Sequence, residues 1–283
     1  MSLEKAGELV ESIEDLPTLP EVVIGITQLV DDPDATAEDV YRIVSTDPSL
    51  SATMLKLVNS AFYGVSRSVT SLEQAIRILG FVTVRNIALA AFVFDAFVTG
   101  KGQFDYKGFW MHSIGSAVAA KVLARRRRIK GSGEYFVFGL LHDLGEIVLM
   151  QYTPEKLEEI IDQATDGKEL SEAERAVVAC THNEIGAALA GKWDFPPSLV
   201  AVISGHCAGE EDEEFKREIA VTTCATAIAQ ALEIGRTLVP EITTVPEETW
   251  RSAGVRPAQI GAIMDEVLLE MANSRSFVSL LFT

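Results

Sequence analysis

Four histidines and one adjacent aspartate are the residues of this chain best suited to chemistry. They are His112, His142, Asp143, His182 and His206. A single histidine is usually a hydrogen-bonded core or surface residue and says little about function. Each of these lies in or at the end of a predicted helix, however, and the helices of a bundle can bring such residues to one internal point. Because imidazole and carboxylate groups together suit Fe, Mn or Zn, we take the five as candidate ligands of a divalent metal.

Residues 135–150 surround His142 and Asp143 with apolar side chains. Large aliphatic and aromatic residues lie on every side of the helical wheel of this stretch, which is typical of a single helix at the centre of a domain. Burying an imidazole and a carboxylate without partners costs free energy, so another group must face them. The sequence leaves three candidates open for that group: a metal ion, another histidine or backbone donors.

The helix predicted to carry His112 begins at Asp105 and runs to about Arg128. Gly115, Ser116 and Ala119 follow His112 in this helix, and such small residues let a neighbouring helix approach closely. We therefore expect His112 to point into a contact between two helices.

The other two histidines have helical signals of their own. The pattern Ser171-x-x-Glu174 predicts a capping box, and we expect its helix to run through Cys180 and His182 to about residue 192. A further helix over 198–205 would place His206 at its end.

The remaining segments also predict helices. Start signals are Thr36-x-x-Asp39, Asp47-Pro48 and Ser71-x-x-Gln74, and Gly64, Gly80, Gly100 and Gly102 mark ends. Later helices are expected over about 218–234, near Glu247 and over 257–272. No alternating strand pattern is present, so we predict an all-α fold.

The composition excludes several classes of function. Among 283 residues, 24 are basic and 41 acidic, for a net charge of −17, which argues against a general affinity for nucleic acid or anionic membrane. The run Arg125–Arg128 with Lys130 is most simply a solvated helix end, although it could dock an acidic partner. The longest apolar tract, 87–98, is too short to span a bilayer. Three cysteines without CxxC pairing favour the cytoplasm.

The order His…His-Asp…His…His resembles the HD superfamily of metal-dependent phosphohydrolases, and more closely its regulatory branch, the HDOD (HD-related output domain) family. The motifs that carry the resemblance are Leu16-Pro-Thr-Leu-Pro20, Ile43-Val-Ser-Thr-Asp47-Pro48-Ser-Leu-Ser51, Val58-Asn59-Ser60-Ala-Phe-Tyr63, Ile76-Arg-Ile-Leu-Gly80, Phe109-Trp110-x-His112, Gly139-Leu-Leu-His-Asp-Leu-Gly145, Glu174-x7-His182-x3-Gly186 and Trp193-x2-Pro196-x9-His206. The resemblance implies an HD-domain-like multi-helix bundle with an N-terminal helical lobe. We expect that lobe over 1–103, the HD-like core over 104–235, and C-terminal helices over 236–283.

The chain departs from the hydrolytic HD pattern at three positions. By register, Thr226 stands where the closing aspartate is expected, and a hydroxyl is a poor substitute for a carboxylate ligand. Glu146 stands where phosphodiesterase relatives have lysine, which reverses the local charge toward an anionic substrate. Cys207 replaces a second histidine, and no orienting acid for a cysteine nucleophile is visible around it.

The resemblance implies a bacterial signalling output domain that acts on a protein partner or a fused receiver domain, with a homodimer as a further possibility. The three departures predict that this domain is non-catalytic. The alternative is a metal-dependent phosphohydrolase in which His182 and His206 bind a second metal or stabilise charge. In that alternative Glu146, one turn after His142, could itself be a ligand.

Overall fold

The computed structural model describes residues 2–30, 32–59, 68–97, 104–129, 131–207, 212–239 and 244–273. Within these ranges the chain is helical and contains no β-strand, which confirms the predicted all-α fold. The helices are α1 Ser2–Glu11, α2 Glu21–Val30, α3 Ala37–Val44, α4 Pro48–Val58, α5 Leu72–Leu79, α6 Phe81–Phe97, α7 Tyr106–Arg126, α8 Ser132–Leu141, α9 Leu144–Tyr152, α10 Pro154–Thr165, α11 Leu170–Val178, α12 His182–Lys192, α13 Pro197–Gly205, α14 Lys216–Ala231, α15 Glu247–Ser252 and α16 Ile260–Asn273.

The chain divides into two compact units. One consists of residues 1–17 and 97–264, and the other of residues 18–96 and 265–283. All four histidines and Asp143 belong to the first unit. The segment bounds 1–103, 104–235 and 236–283 expected from the sequence stay a prediction.

Local capping signals determine where the helices of the second unit begin. Thr36 and Asp39 form the expected capping box at the start of α3, and the Ser71 side chain accepts a hydrogen bond from the third residue of α5. The Asp47 carboxylate accepts from the amides of Ser49 and Leu50, at 2.9 and 3.0 Å, and so caps α4. The expected helix ends at Gly64, Gly100 and Gly102, and the motif residues 60–63, lie outside the described residues.

Helix α7 is the central element of the first unit, and α8 and α14 pack against it. Seventeen of its residues are buried, His112 among them. A Cβ atom added to Gly139 of α8 would come within 2.6 Å of the backbone of Ser116 and Ala117 in α7. The two backbones are therefore in direct contact, which confirms the close helix approach predicted from the small residues after His112.

The single helix expected over residues 135–150 was a wrong prediction, because the chain forms α8 and α9 with His142 and Asp143 between them. Asp143 adopts φ −94° and ψ 29°, which does not continue an α-helix. The Glu146 amide instead donates to the Asp143 carbonyl at 3.0 Å. The break turns the Asp143 side chain out of the helical repeat and toward the histidines.

The helix expected from Ser171 through His182 to residue 192 is also two helices. Ala179, at φ 65°, ends α11 in the left-handed region. The capping box predicted at Ser171 and Glu174 is not formed; the real one consists of Thr181 and Glu184 at the start of α12. Glu174 is therefore not a capping residue, and its carboxylate is available for contacts outside α11.

The arginines of the run Arg125–Arg128 are exposed, as expected for a helix end, and the Arg126 guanidinium donates to the Ala262 carbonyl at 3.0 Å. Lys130 lies outside the described residues. Among the residues that the structure describes, no single helix is long and apolar enough to cross a membrane, although α5 and α6 together, bent by 107°, have the required length and composition.

Candidate metal centre

Asp143 is the point at which three of the four histidines meet. Its Oδ2 atom lies 2.9 Å from Nε2 of His142 and 3.8 Å from Nε2 of His112, and its Oδ1 atom lies 2.9 Å from Nε2 of His206. All four side chains are buried. Helix α7 supplies His112, the residues directly after α8 and α13 are His142 and His206, and the break before α9 supplies the carboxylate.

The protons of His142 and His206 are held on the far side of each ring. Nδ1 of His142 is 2.9 Å from the Gly139 carbonyl, and Nδ1 of His206 is 3.1 Å from the Ile203 carbonyl. Because a carbonyl only accepts, each Nδ1 carries a proton. A neutral ring in this orientation presents the lone pair of Nε2 to Asp143, whereas a ring protonated at both nitrogens donates from Nε2 to the carboxylate.

Both Nε2 atoms are buried and have no hydrogen-bond partner of good geometry among the described residues. A lone pair 2.9 Å from a carboxylate oxygen is repelled unless a cation lies between or beside the two atoms. A proton or a metal ion would supply that cation, and imidazole Nε2 with carboxylate oxygen is a donor set that suits a divalent metal. The residues present therefore fit the metal that the sequence predicts.

The pKa shifts at this cluster reflect burial and mutual charge. Burial, helped by the neighbouring His142, lowers the pKa of His112 to about 4, so this ring is neutral. Burial acts to raise the pKa of Asp143, but His142 and His206 outweigh it and hold the pKa well below its usual value. Burial also opposes the charging of His206, yet Cys207 and Asp143 raise its pKa to about 10. A carboxylate and a neutral His112 are the forms that metal binding requires.

His182 lies on the other side of His206, with ring centroids 5.6 Å apart. Its Nδ1 donates to Oε1 of Glu174 at 2.7 Å, and its backbone amide donates to Oε2 of the same residue at 3.2 Å. Glu174 is completely buried. Burial opposes protonation of His182, but the Glu174 carboxylate outweighs it and raises the His182 pKa well above its usual value.

Cys207 directly follows His206, and its Sγ atom lies 3.8 Å from Nε2 of His182. The residue is exposed. Burial of the sulfur opposes ionisation, but His206 and His182 outweigh it and lower the thiol pKa to about 6. Contrary to expectation, an acid does lie behind the imidazole next to Cys207, because Glu174 accepts a hydrogen bond from Nδ1 of His182.

Helices α9 and α12 cross where two glycines meet, and this crossing places Glu146 beside His182. A Cβ on Gly145 would overlap the His182 carbonyl, and one on Gly186 would come within 2.9 Å of the Gly145 amide. The adjacent Glu146 is buried, and its Oε2 atom has no hydrogen-bond partner in the described ranges. Burial first, and then the Asp143 charge, raise the pKa of Glu146 well above its usual value.

Thr226 lies on the face of α14 that meets His206. Three residues before it, the Thr223 hydroxyl donates to the His206 carbonyl at 2.9 Å, and residues three apart share a helix face. The Thr226 hydroxyl is buried and has no partner among the residues described. Its equivalence to the missing aspartate stays a prediction.

The structure brings the predicted ligands together in overlapping groups. Sets of ligand atoms lying within 4.8 Å of one another come from His112, His142 and Asp143; from Asp143, Glu146 and His182; and from His182, His206 and Cys207. His182 joins the second and third groups but not the first. Glu174 is the residue that sequence reasoning misplaced. The pattern Ser171-x-x-Glu174 assigned it to a cap, although the motif Glu174-x7-His182 already linked it to the histidine that it contacts.

Comparisons with known proteins agree with this architecture. A model of the HDOD domain family matches residues 16–208. An uncharacterized protein of Treponema pallidum (strain Nichols) is 27% identical over 231 residues, which cover 81% of this chain and 45% of that protein. The chain thus spans less than half the length of this relative.

Two solved structures share the fold over nearly the whole chain. An HDOD domain protein of unknown function from Geobacter sulfurreducens has a TM-score of 0.72 and 23% identity, covering 98% of this chain and 95% of that one. A candidate phosphohydrolase from Shewanella amazonensis SB2B has a TM-score of 0.74 and 25% identity, covering 99% and 100%. Because the family model matches well over half of its residues, this chain belongs to the HDOD family.

Proposed function

We propose that the chain is a bacterial signalling output domain that acts by binding another protein, and that its HD-like centre holds a divalent metal without hydrolysing phosphate. The partner is a separate signalling protein or a fused receiver domain, and a homodimer is a further active form. The proposal places the chain in the cytoplasm, where its three free cysteines stay reduced. Membership of the HDOD family supports the regulatory role.

The unpartnered Nε2 atoms of His142 and His206 support metal retention. Both face Asp143 at 2.9 Å with their Nδ1 protons already committed to carbonyls. His112, His142 and Asp143 would hold the ion, which when bound can act as a Lewis acid or as a structural cross-link between α7 and the break before α9.

The presence of Glu146 beside the centre is the observation that best supports the absence of hydrolysis. Burial and the Asp143 charge raise the pKa of its carboxyl group well above the usual value, which favours the protonated form over the carboxylate. In neither form does it supply the positive charge that stabilises a phosphoryl group. The buried Thr226 hydroxyl likewise adds no charged ligand.

A second candidate function is metal-dependent phosphohydrolysis. The observation in its favour is that the groups His112/His142/Asp143 and Asp143/Glu146/His182 share one carboxylate, an arrangement that suits two adjacent ions. The similarity to the Shewanella candidate phosphohydrolase supports the same candidate.

The test combines metal analysis with phosphatase assays on the untagged chain. We expect about one equivalent of Fe, Mn or Zn in a centre that His112→Ala empties, and no turnover of cyclic dinucleotides, nucleotides or an activated phosphodiester with added Mn²⁺. Metal-dependent hydrolysis that Asp143→Ala abolishes would replace the first proposal by the second. Absence of metal from this centre would restrict the proposal to a purely structural histidine cluster.

A further inference from the structure

We propose that an arginine-rich surface on the first unit binds a carboxylate-rich segment of the partner protein. As a docking site it rests on the proposed function, under which the chain acts through a protein partner, and it adds the chemistry of that partner. Two segments far apart in the sequence, the end of α7 and the turn after α15, supply six exposed arginines to it. The arginine surface consists of Arg125, Arg126, Arg127, Arg128, Arg251 and Arg256.

The turn that ends α15 brings the two segments together. Gly254 adopts φ 68°, and its amide donates to the Arg251 carbonyl at 2.9 Å. A Cβ atom on Gly254 would overlap the Arg127 guanidinium, so the Arg127 side chain lies directly against the backbone of this turn. Arg251 and Arg256 flank the point of contact in the sequence. The positive charges of α7 and of this turn therefore meet on one surface, which the run Arg125–Arg128 alone does not show.

A solvated helix end accounts for only part of the arginine surface. Arg125 and Arg126 lie in the last turn of α7, where a cation interacts favourably with the helix dipole. Arg128 lies beyond the helix at φ 54°, in a left-handed turn that glycine forms with less strain. Arg256 precedes a short 3₁₀ helix, and the N-terminal end of a helix offers a cation no such benefit. The local conformation therefore explains neither Arg128 nor Arg256.

Much of the positive charge of the arginine surface is not neutralised by the chain itself. Within the described residues, Arg127, Arg128 and Arg256 form no ion pair with a carboxylate. Arg251 pairs with Glu247 at 2.9 Å, an exposed contact that contributes little free energy. The arginine surface holds six of the 24 basic residues of a chain with net charge −17. Like charges brought together repel unless an anionic group approaches them, so the surface is suited to an acidic ligand.

Carboxylates in a short segment fit this surface better than an extended polyanion does. The planar guanidinium forms paired hydrogen bonds with a carboxylate, and arginine clusters recur where proteins recognise acidic motifs. The net charge of −17 repels acidic molecules from the rest of the chain, so attraction is confined to the arginine surface and orients the partner. A nucleic acid would extend past the arginine surface into the field of a chain with a large negative charge, which opposes its binding.

Fluorescence anisotropy with a labelled octaglutamate peptide tests the arginine surface. The full chain is titrated, with a chelator present and at low and physiological ionic strength, against octaglutamate, octaglutamine and a single-stranded thymidine octanucleotide. Arg127→Gln and Arg128→Gly each remove one charge from the surface. Arg77→Gln is the first control, because Arg77 is an exposed arginine in the last turn of another helix, α5.

Glu233→Gly is the matched control for Arg128→Gly. Glu233 at φ 53° follows α14 as Arg128 at φ 54° follows α7, and in both turns the next amide donates to the carbonyl five positions before it at 3.0 Å. Glycine relieves the same strain in both turns, so each variant should raise the Tm by about 2–4 °C. A loss of peptide binding in Arg128→Gly alone then reports on the arginine charge and not on folding.

We expect wild-type protein to bind octaglutamate at low ionic strength, more weakly at physiological ionic strength, and octaglutamine at neither. Arg127→Gln and Arg128→Gly should each weaken binding by about 3–5-fold, whereas Arg77→Gln and Glu233→Gly should change it by less than about 1.5-fold. The proposal is overturned by wild-type protein that does not bind octaglutamate or binds octaglutamine equally well. Unchanged binding in both arginine-surface variants, equal losses for Arg77→Gln and Arg127→Gln, or tighter binding of the octanucleotide overturns it as well.

Failure of the arginine surface and failure of the proposed function give different results. Metal-dependent hydrolysis in a chain that binds octaglutamate through these arginines would refute the proposed function and keep the arginine surface. A chain that neither hydrolyses phosphate nor binds octaglutamate would refute the arginine surface and leave the protein partner to another surface.

Discussion

Glu174 offers the sharpest test of how the first unit is held together. Its carboxylate is completely buried and accepts two hydrogen bonds, from Nδ1 and from the backbone amide of His182. Glu174→Ala leaves the amide and Nδ1 of His182 buried without an acceptor. It also removes the carboxylate that raises the pKa of the His182 ring. Removing one partner of a buried, hydrogen-bonded ion pair costs about 3–5 kcal/mol.

This cost can be measured by thermal and urea unfolding of the purified chain with a chelator present, so that metal loss does not contribute. At roughly 2–4 °C per kcal/mol for a unit of this size, the Tm of Glu174→Ala should fall by about 6–20 °C. Glu174→Gln keeps one oxygen acceptor, so its Tm should fall by less than that of Glu174→Ala.

Ser171→Ala is the matched control, because the capping box suggested by the sequence would give Ser171 and Glu174 one shared role. In the structure the Ser171 hydroxyl instead donates to the Glu169 carboxylate at 2.7 Å in an exposed position. We expect a change within about 0.5 kcal/mol for this variant, as for most surface substitutions. Equal losses for Ser171→Ala and Glu174→Ala, or an unchanged Tm for Glu174→Ala, would refute the assignment of Glu174 to His182.

Two further variants test the elements that position the site. Gly145→Ala should destabilise the chain by roughly 3 kcal/mol or more in a urea titration, because its Cβ would overlap the His182 carbonyl. Gly191→Ala is the control, since a Cβ there meets no atom within 4 Å, and it should be neutral or slightly stabilising. Similar unfolding curves for the two variants would contradict the close crossing of α9 and α12. Thr181→Ala should cost about 1 kcal/mol by removing the N-cap of α12, and a Tm equal to that of wild type would argue against the capping box with Glu184.

Local signals in the sequence determined the fold class and much of the helix boundaries. Thr36, Asp47 and Ser71 cap the helices that they were expected to cap, because an N-cap bond joins residues only two or three positions apart. The spacing of the histidines and of the His-Asp pair likewise identified the side chains that meet at Asp143.

The partners of those side chains were decided only by the tertiary structure. Two capping boxes were locally possible near His182, one at Ser171 and one at Thr181. The first did not form, because burying Glu174 against His182 instead satisfies a carboxylate and two donors at once. The break at Asp143 has the same kind of cause, since a continuous helix would not leave its two oxygens facing His142 and His206. The stabilising contacts at these positions join residues that are far apart in the sequence, so patterns of neighbouring residues do not predict them.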